Sequence, residues 1–87
     1  MSKGFDELLT FPTTFVFRII ANHNKEHQES YKKVLQDIFS VIEHFEVLPS
    51  KSGKFVRIHV RVLANNAEQI YAGYEALKPC EGIKMVF

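Results

Sequence analysis

Lys54 to Leu63 gives the cleanest alternation in the chain. Val56, Ile58, Val60 and Val62 take one side, and Phe55, Arg57, His59, Arg61 and Leu63 take the other. A period of two over such a length predicts a half-buried antiparallel strand. Thr13 to Ala21 is rich in β-branched and aromatic residues and predicts a second strand, with Phe15, Phe17, Ile19 and Ala21 opposite Val16, Arg18 and Ile20. Phe45-Glu46-Val47-Leu48 reads as a shorter strand ended by Pro49. Ile83 to Phe87 reads as a last one, with Ile83, Met85 and Phe87 alternating against Lys84 and Val86.

Two stretches carry a helical period instead. Tyr31, Val34, Leu35, Ile38, Val41 and Ile42 recur at spacings of three and four. They predict an amphipathic helix of about five turns from Lys25 to His44. Asn22-His23-Asn24 breaks the strand before it, and either asparagine can cap its first turn. Ala67, Ile70, Tyr71, Tyr74 and Leu77 define a second helix, stopped by Pro79. Asn65 followed by Glu68 has the form of a capping box at its start. Ser50-Lys51-Ser52-Gly53 and Cys80-Glu81-Gly82 are turns by residue type, and Phe5 to Pro12 predicts a short helical turn ended by its proline.

The order is β-α-β-β-α-β with no linker inside it. The chain is therefore read as a single α+β domain over 1–87, with an N-terminal extension over 1–12 and a core over 13–87. Right-handed crossovers put both helices on one face of a four-stranded antiparallel sheet of order 4-1-3-2, the ferredoxin-like arrangement. At 87 residues and 46% apolar content, a core can form without disulfides or a metal.

The valine side of the third strand must meet the helices, because each helix has an apolar stripe to bury. The expected inner set also includes Phe15, Phe17, Ile19, Phe45, Val47, Ile83, Met85 and Phe87. The opposite face is then open to solvent. It receives all three arginines of the chain, Arg18, Arg57 and Arg61, against one acidic residue, Glu46. Arg18 is expected near Arg57 and Arg61, and like charges on neighbouring strands favour a counter-anion or an acidic partner. A solvated face and a binding face account equally well for that pattern. The candidate binding surface is Arg18, Phe55, Arg57, His59, Arg61 and Lys84.

Charge and composition narrow the alternatives. The net charge of +1 and a pI near 7.9 give no support to nucleic-acid binding, where a domain pI above about 9 is usual. Such binding would fall to single-stranded RNA on Phe55, Arg57 and His59. A lone cysteine, Cys80, permits no internal disulfide and fits a cytoplasmic setting. The start of the chain lacks the apolar core of a signal peptide, and no apolar run is long enough to span a bilayer.

His23-Asn24-Lys25-Glu26-His27 matches the H-x-x-E-H zinc-peptidase pattern. It straddles a strand-to-helix turn, however, and no third ligand stands in an obvious setting. A polar helix start explains it, and no metal, cofactor or catalytic residue is assigned. Ser52-Gly53-Lys54 lacks the remainder of a phosphate loop and joins two strands. Cys80 has no histidine near it in sequence and reads as an inert thiol.

Glu7-Leu8-Leu9-Thr10-Phe11-Pro12-Thr13-Thr14-Phe15, Ser52-Gly53-Lys54, the second helix after Ala64-Asn65, and the ending Lys84-Met85-Val86-Phe87 resemble the YbeD-like family of small bacterial proteins of unknown function. The resemblance implies the same βαββαβ fold, close to the ACT regulatory domains that bind amino acids. It supplies no catalytic residues. Where ACT domains usually place a glycine after the first strand, this chain has Asn22, His23 and Asn24. The leading expectation is a non-enzymatic regulatory or interaction module, whose open face meets an acidic protein or a second copy. The alternative is a small-ligand sensor of ACT type with Asn22, His23 and Asn24 as the ligand loop.

Overall fold

The computed structural model describes residues 9–87. Its elements are β1 (Thr13–Asn22), α1 (Lys25–Gln36), β2 (Ile42–Pro49), β3 (Phe55–Ala64), α2 (Ala67–Leu77) and β4 (Ile83–Val86). The sheet order is β2-β3-β1-β4, all neighbours antiparallel, which is the expected order seen from the other edge. Of the helical turn expected over 5–12, only 9–12 falls within the described residues, and those four are not helical. Leu9 and Phe11 nevertheless pack against the core.

The core lies between the sheet and the helices. Phe17, Ile19 and Ala21 of β1 meet Val56, Ile58, Val60 and Val62 of β3, with Tyr31 and Leu35 from α1 and Ile70 and Leu77 from α2, all fully buried. On α2 the place facing the sheet belongs to Gly73, which lies against the Phe17 ring. Tyr71, expected in that stripe, is 47% exposed. The cap of α2 also sits one residue later than the pattern suggests. Asn66 accepts from the Gln69 N–H at 2.9 Å, while Gln69 Oε1 accepts from the Asn65 N–H at 2.7 Å. Gln69 replaces Glu68 in the reciprocal role, and its Nε2 also donates to Ile38 O at 3.1 Å. The start of α1 follows expectation, with Asn24 Oδ1 accepting from the His27 N–H at 3.1 Å.

The first helix is shorter than its periodicity predicts. It ends at Gln36, and Ile38 and Phe39 both donate back to Leu35 O in a tightened last turn. Ile42 then opens β2 rather than continuing the helix. The reason lies in β3, whose ten residues would leave backbone groups near Arg61 and Val62 unpaired beside a strand beginning at Phe45. Starting β2 at Ile42 pairs that stretch, and the Leu63 N–H reaches Val41 O at 3.1 Å.

Both rim strands carry a bulge. In β2, Ile42 pairs with Val62 and His44 with Arg61, which leaves Glu43 as the extra residue. In β4, Ile83 pairs with Ala21 and Met85 with Ile20, which leaves Lys84 as the extra residue. A bulge reverses the facing of everything beyond it. The expected inner set of β4 is corrected accordingly. Ile83 and Val86 pack against the core, whereas Met85 and Phe87 are 55% and 50% exposed.

Candidate functional site

The open face is ordered by the rungs of the sheet. Glu46, His59 and Arg18 stand side by side across β2, β3 and β1, and His44, Arg61 and Val16 form the next rung. On the other side come Leu48, Arg57 and Ile20, continued by Met85 on β4. The backbone of Arg18 is held from the rim strand, since Arg18 and Phe87 exchange two N–H···O bonds of 2.7 Å each. Phe87 thus completes the rung that begins at Glu46.

The first two rungs enclose a hollow of about 270 Å³ lined by Val16, Arg18, His44, Glu46, His59 and Arg61. Two guanidiniums there face one carboxylate. That carboxylate also has a near partner, with Glu46 Oε1 accepting from His44 Nε2 at 3.3 Å. Arg18 lies directly opposite His59, so Arg57 and Arg61 are its diagonal neighbours, about 7–8 Å away by sheet geometry. His59 stands between Arg57 and Arg61 along β3 and spaces them along the face.

Of the six residues expected on this surface, Arg18, His59 and Arg61 line the hollow. Arg57 lies one rung away between Leu48 and Ile20. Phe55 stands at the end of β3 opposite Asn22 and is 39% exposed. Lys84 is the unpaired bulge residue before Met85 and is exposed. His44 was missed because its residues were read as the end of a helix, although the length of β3 called for a longer partner strand. Met85 and Phe87 were missed because nothing within β4 itself marks the bulge.

The Asn22–Asn24 turn has its groups engaged in the fold. The Asn22 N–H donates to Gly82 O and the His23 N–H to Lys54 O, while His23 Nδ1 donates to Gly53 O at 3.3 Å. Asn24 caps α1. The two histidines of the H-x-x-E-H stretch have different partners, His23 bonding Gly53 O and the His27 ring facing Glu81 with Nε2 3.2 Å from Oε2. Among the described residues, no group of three His, Cys, Asp or Glu is arranged to hold a metal ion. Burial pushes the Cys80 thiol above its usual range, and its Sγ donates to Ala76 O at 3.4 Å. No helix among the described residues is long and apolar enough to cross a membrane.

The fold and this face define a small βαββαβ domain with an uncovered, arginine-bearing sheet surface. Residues 6–87 match the family described as protein of unknown function DUF493, and the chain belongs to that family. Similar proteins include a UPF0250 protein of Shewanella piezotolerans, 29% identical over 86 residues, covering 99% of this chain and 98% of the relative. A UPF0250 protein of Erwinia tasmaniensis is also 29% identical, with 99% of each chain covered. Neither the family description nor these names assigns an activity. No solved structure matches the chain.

Proposed function

We propose that this domain is a non-enzymatic, cytoplasmic regulatory or interaction module whose open sheet face docks an acidic protein surface. The observation that carries the reading is the hollow, where Arg18 and Arg61 outnumber Glu46 and project from a rigid sheet rather than from loops. Charge excess on a fixed surface steers an oppositely charged partner and sets its orientation. Exposed Phe55, Met85 and Phe87 around it supply the apolar and aromatic contacts that interfaces favour. Two copies of this face would set arginines against arginines, so a second copy is the poorer occupant. The RNA reading requires aromatics on both central strands, but β1 offers Val16, Arg18 and Ile20 there.

The test is affinity capture from native lysate with the wild type and the Arg18→Glu/Arg57→Glu/Arg61→Glu variant, compared by mass spectrometry. A protein partner held by the wild type, absent from the variant and displaced by oligoglutamate supports the reading. Equal capture by both forms overturns it, as does recovery of nucleic acid alone. So do amino-acid-dependent NMR shifts confined to Asn22–Asn24.

A further inference from the structure

The bulge at Lys84 does more than break the rim. It carries Met85 and Phe87 to the same face as the hollow, at the ends of the two rungs that hold Arg57 and Arg18. Ile20 lies beside Met85 on β1. The face therefore carries a charged part, the hollow running from β2 across β3 to Arg18 of β1, and beside it an apolar part formed by Ile20, Met85 and Phe87. Met85 and Phe87 are each at least half exposed, an unusual placement for two large apolar side chains side by side on one small sheet.

Resting on the acidic-partner reading, we propose that the face recognises two features of one extended peptide segment. A carboxylate sits in the hollow between Arg18 and Arg61, and a large apolar side chain lies on Ile20, Met85 and Phe87. Within the hollow two guanidiniums stand against the Glu46 carboxylate, while the Glu43 carboxylate at its margin accepts from Thr14 Oγ1 at 3.5 Å. A segment crossing the strands from the hollow to β4 spans two inter-strand spacings, about 10 Å. Same-side residues of an extended chain lie about 7 Å apart, and the length of a Glu and a Phe side chain bridges the remainder. The recognised pattern is an acidic residue followed or preceded at the second position by Phe, Leu or Met, since side chains two apart share one side of an extended chain.

The probe is acetyl-Glu-Ser-Phe-amide, titrated into the ¹⁵N- and methyl-labelled domain and followed by NMR. Shifts are expected on Arg18, Arg61 and the Met85 methyl. Replacing the probe's Glu by Gln, or its Phe by Ser, is expected to weaken binding about tenfold in each case. Each preference should vanish selectively: Arg61→Gln abolishes that for Glu over Gln, and Met85→Ser that for Phe over Ser. Both residues are exposed, and an unchanged spectrum elsewhere verifies the fold. Absence of shifts, persistence of either preference in its matching variant, or shifts mapping to Asn22–Asn24 or the helices overturns the inference. Should the arginine-dependent partner of the preceding section exist while the peptide cycle fails, only the two-feature recognition falls. Loss of both removes the docking role from this face.

Discussion

Replacing Gly73 by alanine puts a methyl group where the Phe17 ring already is. A Cβ at this position would stand 2.5 Å from Cζ of Phe17 and 3.1 and 3.2 Å from its Cε atoms. Carbon atoms in contact prefer about 3.5–4.0 Å, so the ring must retreat by about 1 Å. It has little room to do so. Phe17 is fully buried, with ring centroids of Tyr74, Phe15 and Phe39 at 5.0, 5.1 and 5.7 Å.

Overpacking of this kind costs about 1–3 kcal/mol. Alanine returns about 1 kcal/mol through its helix propensity. The expected net loss is about 1 kcal/mol, a fall in Tm of roughly 4–8 °C for a domain of this size. Thermal and urea melts of the wild type, Gly73→Ala, Phe17→Leu and the double variant measure it. In the Phe17→Leu background, where the clashing ring is gone, Gly73→Ala is expected to cost nothing and to recover the propensity gain. A Gly73→Ala protein that melts at or above the wild type, or an equal loss in both backgrounds, refutes the reasoning.

Two further outcomes follow from side chains that bond backbone groups far along the chain or at a helix start. Tyr31 donates its hydroxyl to Glu81 O, and its pKa is raised above the ordinary 10.0 by burial first, then by the neighbouring Cys80 and Glu81. The native state therefore holds this proton more tightly than the unfolded chain. Its contribution is complete below pH 10 and is lost as pH rises through the higher native value; urea midpoints should fall above about pH 10, less steeply in Tyr31→Phe. A pH slope identical in both proteins would contradict this. Gln69→Ala removes both the acceptor for Asn65 and the donor to Ile38 O, and is expected to cost about 1–2 kcal/mol by urea denaturation. A loss below about 0.5 kcal/mol would mean that water replaces both bonds.

How much of this was legible in the chain depended on whether the signal was local. The alternation of Val56 to Val62 against Arg57, His59 and Arg61 defined β3 and its buried side, and the sheet order followed from topology alone. Arg18, His59 and Arg61 could be placed on one face for the same reason. The errors arose where a distant partner overrode a local pattern. Val41 and Ile42 fit a helix by spacing, but the backbone groups of β3 drew them towards the sheet. The facing of Met85 and Val86 depends on a register shift opposite Ile20 and Ala21, which no residue within β4 announces. The contribution of Met85 and Phe87 to the face was hidden for that reason.

The charged bulges at Glu43 and Lys84 also constrain how this protein can assemble. A sheet with clean outer edges can recruit another strand from a neighbour, and then another, without a natural stop. Here the outer ladder is interrupted on both rims, and each interruption carries a charge. Lateral growth is disfavoured, and the sticky surface is the flat one, which a partner can occupy once and then conceal. The expected product is a closed complex of fixed stoichiometry rather than a fibre.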